Sequence, residues 1–330
     1  MVAAGWRKTG EPPEPGTAGT LGHGFRMAEA TITEITEAAA QDGGTYFALS
    51  DSTRVYTPDS PLRKPRTFLR TLVSDARAAR FLAWRLFVRD VSAQYRQTAF
   101  GYLWAALPAV FNALVWVALQ SAGVISVKTS GVPYVAYVLA GTMFWQLFVD
   151  ALNAPLKQLN LNRAMLNRVN VPTEAIIASG VGQVLFSFVV KVVVLAIVLV
   201  VSGAPVKWTA PAVLLPAFAL LVVGSVIGII LAPLGMLYRD IEQGLTVVVA
   251  PLMFLTPVIY SVPKSGVLEK IMRVNPLTPM FEVVREFLFG GVGPYLTELG
   301  IVSGVAFALG IVGWLVYRLS LPVLIERIEA

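Results

Sequence analysis

Two stretches of this 330-residue chain, between Arg96 and Lys128 and between Lys207 and Arg239, contain no Asp, Glu, Lys or Arg. A helix needs only ~20 predominantly apolar residues to cross ~30 Å of hydrocarbon, and both stretches exceed that. The composition agrees: 56% of residues are hydrophobic, 14% are charged and the mean hydropathy is +0.68. A soluble domain carries about 25% charged residues. A chain this poor in charge cannot cover a globule of its length with polar surface, and it reads as a membrane protein.

Six apolar spans are expected, at approximately Leu103–Val124, Val132–Leu152, Ala175–Ser202, Pro211–Leu237, Leu245–Val262 and Leu299–Tyr317. The fold class is therefore all-α and membrane-embedded, with residues 99–330 forming a six-span domain. Pro108, Pro216, Pro233, Pro251 and Pro257 fall inside these spans. Lipid leaves a helix no better alternative, so they are tolerated as kinks, above all in the fifth span. Residues 1–65 read as a polar, largely disordered tail, with too few large apolar groups to offset ordering entropy. The tail lacks the apolar core of a signal peptide, Met27 is an alternative start, and a short ordered piece fits around Thr45–Val55. Residues 66–98 carry seven arginines among Phe68, Leu72, Leu82 and Leu86. That pattern is a basic amphipathic helix, or two, lying in a membrane interface.

Lys and Arg counts orient the array. Placing both termini in the cytoplasm puts fifteen basic residues of Arg63–Ala330 on the inner side and six on the outer side, as the positive-inside rule requires. The net charge of +6 then belongs beside anionic headgroups and not nucleic acid. With no cysteine and a single histidine, His23, thiol chemistry, a Ser/His/Asp arrangement and a His/Cys metal site are excluded or improbable. Gly-Lys never occurs, so no phosphate-binding loop of the Walker type exists.

Ionisable groups within the spans are scarce. Asp150 and Glu174 fall at expected span ends, and only Lys191 lies deep. A lysine there either faces a polar cavity or pathway, or snorkels or pairs structurally with carbonyls; the sequence leaves both readings open. Tyr102, Trp104 and Tyr134 fit an interfacial belt. Phe111, Trp116, Phe144 and Trp145 lie deeper, where they are either core or the wall of a pore whose aromatic faces stack on sugars. Between the last two spans, Met280–Phe289 is too short to cross and carries Glu282, Arg285 and Glu286. A re-entrant or surface-lying helical pair is expected.

The run WRLFVRDVSAQYRQTAFGYLWAALPAVFNALVW (Trp84–Trp116) resembles the start of the permease subunit of ABC-2 type polysaccharide exporters. The likeness continues through YVLAGTMFWQLFVDALN (Tyr137–Asn153), NRAMLNRVNVPTEA (Asn162–Ala175), GMLYRDIEQ (Gly235–Gln243), TPVIYSVP (Thr256–Pro263) and VNPLTPMFEVVREFLFG (Val274–Gly290). It spans Phe81 to the C-terminus and leaves the tail outside.

The resemblance implies the ABC-2 exporter fold and a set of roles. The amphipathic segment becomes an interfacial gate helix, with Arg85, Arg89 and Arg96 placed for a lipid phosphate, to which arginine pairs bidentately. Leu156–Val169 becomes a coupling helix, ended by Pro172. Leu156, Arg163 and Arg168, with Arg239 and Asp240 from the next cytoplasmic turn, meet an ATPase. Pro276, Phe281, Arg285 and Phe287 belong to extracellular gate helices. The implied protein is no enzyme but a homodimeric permease of the bacterial cytoplasmic membrane, working with two copies of an ABC ATPase. That partner supplies ATP and magnesium; this chain holds no cofactor and no metal. The implied cargo is an undecaprenyl-linked glycan such as O-antigen, capsule or teichoic acid. Neighbouring readings are a smaller lipo-oligosaccharide or drug and, more remotely, an ion-coupled flippase. A glycosyltransferase lacks a loop long enough to hold its site.

Overall fold

The computed structural model describes residues 65–96, 98–127, 131–168, 172–238, 240–263, 265–290 and 293–329, with the side chains of 65–78, 164, 167–168 and 319–329 outside that description. The tail, with His23, Met27 and Thr45–Val55, lies outside the described residues. Among the described residues regular structure is helical throughout: α1 (Pro65–Tyr95), α2 (Leu107–Ser121), α3 (Tyr134–Leu161), α4 (Arg163–Arg168), α5 (Thr173–Val201), α6 (Leu214–Leu237), α7 (Asp240–Phe254), α8 (Val267–Val274), α9 (Thr278–Arg285) and α10 (Leu296–Glu329). The expected amphipathic segment is one helix, α1, and not two.

Helix α3 is the axis. Its apolar window is 78% buried, against 28% in α5 and 17% in α10. Glycines let the neighbours approach. On α6, a Cβ at Gly224 would stand 2.7 Å from the Phe148 carbonyl oxygen, and one at Gly228 would strike the Leu152 carbonyl. Gly224-Ser-Val-Ile-Gly228 is the small-xxx-small spacing by which membrane helices bring their backbones together. On α5, Gly180 makes room for the Gln158 side chain. The outward faces of α5 (Leu185, Val189, Val193, Ile197) and α10 (Ile301, Val305, Leu309, Val312, Val316) are exposed and apolar, and lipid is an adequate solvent for them.

Among the described residues four helical segments are long and apolar enough to cross a membrane: α3, α5, Ala210–Leu237 and the Leu296–Arg318 part of α10. The first and fifth expected spans are shorter than their apolar runs. Residues Gly101–Ala105 form a 3-10 turn and Pro108 sits at the start of the 15-residue α2. Helix α7 also has 15 residues and stops at Phe254, just before Pro257, which disfavours helix in the residue preceding it. Side chains satisfy the irregular backbone that follows. Asn275 Nδ2 donates to Leu255 O at 3.0 Å and to Thr256 Oγ1 at 2.8 Å. Arg285 Nη2 donates to Val258 O at 3.0 Å, and the Tyr260 hydroxyl donates to Phe254 O. Non-helical backbone at membrane depth survives only where protein or water supplies such partners.

Candidate functional site

At one end of the bundle α3 runs on past the expected span limit and breaks at Asn162, so the helix expected over Leu156–Val169 is divided. Leu156 and Leu159 are buried on α3, and α4 is a separate turn of six residues. The cause is Asn162, whose φ of −99° and ψ of 13° leave the helix. Its Nδ2 donates to Gln158 O (2.9 Å) and Oε1 (3.2 Å), while its carbonyl accepts from Met165 and Leu166 N–H, starting α4. Its Oδ1 accepts from Arg89 Nη2 at 3.0 Å, tying α1 to the same corner. Asp90 pairs with Arg89 at 2.7 Å and accepts from Gln183 Nε2 at 3.1 Å, which fastens α1 to α5.

Beside this corner a groove of about 470 Å³ is lined by Asn160, Arg163, Glu242, Gln243 and Thr246. Asp240 is exposed at the start of α7. Arg239 and the Arg168 side chain lie outside the described residues. Arg85 and Arg96 are exposed, with the Arg85 guanidinium 5.6 Å from the Phe81 ring centre. Of the three arginines proposed for a phosphate, Arg89 is tied to α3 through Asn162.

Lys191 is 3% exposed and its Nζ lies 2.5 Å from Asp150 Oδ2. Its partner is a carboxylate and not backbone carbonyls. Asp150 does not sit at a helix end: α3 continues eleven residues beyond it to Leu161. Near the pair, the Tyr95 hydroxyl meets Ser187, and the Tyr95 and Tyr102 rings and the Tyr102 and Phe186 rings stack edge-on, 5.1 and 5.2 Å apart.

The structure divides the deep aromatic residues expected as pore wall. Phe111 is exposed, and Trp116, partly buried, packs at 6.0 Å on Phe254 of α7. Phe144 and Trp145 are 0% and 4% exposed. They pack on Phe188 and on Phe148 and Phe281, and in this conformation they present no wall.

The opposite end holds the helical pair expected before the last span, α8 and α9, followed by a π-helical turn, Glu286–Gly290. Pro276 is exposed in the turn between them, while Phe281 and Phe287 are buried. Arg285, also buried, pairs with Glu282 at 2.9 Å and lies 4.1 Å over the Tyr137 ring. Thr209 Oγ1 donates to Phe287 O at 2.8 Å, joining the α5–α6 connection to this end. Glu286 is held above the ordinary carboxyl range, first by burial and then by the Glu282 carboxylate, against a lowering hydrogen bond from the Gly293 backbone. The signals missed in the sequence were Gly224-x-x-x-Gly228 and Asn162, a residue suited to ending one helix and opening the next.

Comparison with known proteins adds an independent observation. The sequence profile of the family described as ABC-2 type transporter matches residues 82–289. An O-antigen export system permease protein, RfbA, of Klebsiella pneumoniae is 24% identical over 241 residues, 70% of this chain and 88% of its own length. The protein of the same description from Myxococcus xanthus is 26% identical over 222 residues, covering 66% and 82%. The polysialic acid transport protein KpsM of Escherichia coli is 24% identical over 219 residues, covering 64% and 82%.

Proposed function

We propose, for a chain that belongs to the ABC-2 type transporter family, the role of channel-forming membrane subunit in an exporter of a lipid-linked polysaccharide. It is a transport subunit and not an enzyme; ATP is hydrolysed on a separate polypeptide. The observation that carries the polysaccharide reading is that relatives named for O-antigen export and for polysialic acid transport both align over about two thirds of this chain.

Six passes fit this role. Helices α2 and α7, each about 22 Å long at 1.5 Å per residue, are completed as crossings by residues 101–105 and 255–262. Both termini lie in the cytoplasm of a bacterial cell, in its inner membrane. The α3–α4 corner and Asp240 then face the cytoplasm, where two copies of the ATPase dock, and the α8–α9 pair lies outside as a gate. Two copies of the permease enclose the passage. Closure of the ATPase pair on ATP pushes α4, and the Arg89–Asn162 bond passes that displacement to α1 at the interface where a lipid phosphate enters.

The test is deletion of the chain's gene with measurement of surface glycan, together with isolation of the permease in mild detergent. The expected result is loss of surface glycan, with its lipid-linked precursor retained inside, and co-purification of an ATPase. Unchanged surface glycan would contradict the cargo, and a permease that purifies without an ATPase would contradict the drive.

A further inference from the structure

Between Met143 and Leu161, α3 is buried except at Gln146, Val149, Asp150, Asn153, Lys157, Asn160 and Leu161. The polar ones recur at steps of four, three, four and three, which places them on one face of a helix. From Gln146 to Asn160 the face runs about 21 Å at 1.5 Å per residue. The most buried helix of the bundle thus leaves one stripe incompletely covered, and apart from Val149 that stripe is polar. The fully exposed positions of α5 and of residues 300–316 of α10 are apolar, and beyond Glu174 in the first turn of α5 their half-buried polar residues, Gln183, Ser187 and Ser303, are uncharged.

The stripe is partly uncovered because α2 is short. The Thr142 hydroxyl donates to Ala109 O at 3.4 Å, so the third residue of α2 lies level with Thr142. From there α2 leads away through the connection to Tyr134, an antiparallel hairpin that covers only the first part of α3. Thr142 and Gln146 are four residues apart on the same face; the cover ends at one and the polar stripe begins at the other. At the far end Asn160 Nδ2 reaches Glu242 of α7 at 3.4 Å, beside the open groove at the α3–α4 corner.

Lys191 indicates what this face meets. A lysine within a membrane helix ordinarily extends its stem so that the ammonium finds water. Here the ammonium is 3% exposed while the carboxylate it holds is 37% exposed. The pair therefore presents an acceptor: one carboxylate oxygen is taken by Lys191, and the other side of the group is open. A half-open carboxylate, three amides and a lysine would be costly against acyl chains, and they are stable against water or a hydroxyl-rich ligand.

We infer that the Gln146–Asn160 face of α3 is the wall of a hydrated passage and the contact track for a polyhydroxylated chain, with Asp150 as its acceptor of hydroxyl hydrogen bonds and Lys191 fixing that carboxylate in place. The hydration rests on the geometry alone; the glycan contact rests on the export reading above.

The chain has no cysteine, so single substitutions can be read directly. Gln146→Cys, Asn153→Cys, Val189→Cys and Val193→Cys are made in the full chain. Inside-out vesicles containing the partner ATPase are treated with the membrane-impermeant cation methanethiosulfonate ethyltrimethylammonium. A thiol reacts as thiolate, which an apolar environment suppresses, so positions 146 and 153 should react about tenfold or more faster than 189 and 193. Equal, slow reaction at all four overturns the passage. In vesicles from cells making the glycan, with the ATPase trapped by vanadate, labelling at 146 and 153 should slow. Fast labelling without protection overturns the glycan contact and leaves the hydrated face standing. Neither readout depends on the surface-glycan measurement, so failure of this inference and failure of the export reading are distinguishable.

Discussion

Helices α3 and α5 lie side by side, joined by the Lys191–Asp150 pair, and expose opposite chemistries. On α5 the fully exposed residues are apolar, Leu185, Val189, Val193 and Ile197 among them; on α3 the incompletely buried residues are mainly Gln146, Asp150, Asn153, Lys157 and Asn160, half-buried except for the exposed Lys157. A soluble protein would keep the polar face out and the apolar face in. In a membrane bundle the apolar face needs no cover, because lipid is as apolar as leucine. A polar face needs a second, aqueous environment. The contrast teaches that exposure must be read with chemistry: one side of this bundle is built for lipid, and the stripe on α3 is built for something wet.

The largest expected effect comes from removing the support behind the stripe. Gly228→Leu would drive a side chain into the Leu152 carbonyl and the Pro155 ring. Backbone cannot yield as a flexible side chain does, so the cost should exceed the about 1–3 kcal/mol usual for overpacking. Loss of the folded permease on detergent size-exclusion chromatography is expected, and normal folding and export would show that α3 and α6 are not held by this approach.

The ion pair comes next. Lys191→Met leaves Asp150 unpaired, at about 2 kcal/mol, less than a fully buried pair would lose because the carboxylate is partly open. Asp150→Asn with Lys191→Met removes both charges and should regain most of that stability, measured by thermal melting. Export should stay low in the double variant if Asp150 contacts the passage, and should recover with stability if the pair is only structural.

Charge reversal at the corner tests the other end of the stripe. Arg163→Glu with Arg168→Glu should abolish ATPase co-purification while the thermal melt of the permease stays within about 1 kcal/mol, as for surface substitutions. Normal co-purification would remove the corner from the docking surface. The smallest effect concerns Glu286. Its raised value means the folded state favours the protonated form, so this group opposes folding as pH rises through that value. Glu286→Gln should melt with wild type in acid and slightly above it at pH 8; a gap that widens in acid would reverse the sign.

Much of the bundle was legible because long apolar runs have one low-energy answer in lipid. The amphipathic α1 and the helical pair before α10 followed from residue pattern as well. Two spans shrank where local chemistry overrode hydropathy: Pro108 sets the start of α2 and Pro257 the limit of α7. The stripe was in the sequence as Gln146, Asn153 and Asn160 at sevenfold spacing, with Asp150 and Lys157 between them. It was hidden by the assumption that a helix crossing the membrane ends with its apolar run, which put Asp150 at a boundary. The burial of Phe144 and Trp145 was not legible, since an aromatic residue carries no mark of which neighbour it faces.

Passage of the exported glycan along α3 is open to site-specific photocrosslinking in cells. Benzoyl-phenylalanine at Gln146 and Asn153 should yield permease adducts that stain for carbohydrate, while the same group at Val189 and Val193 should capture lipid alone. Carbohydrate adducts from α5, with none from α3, would contradict it.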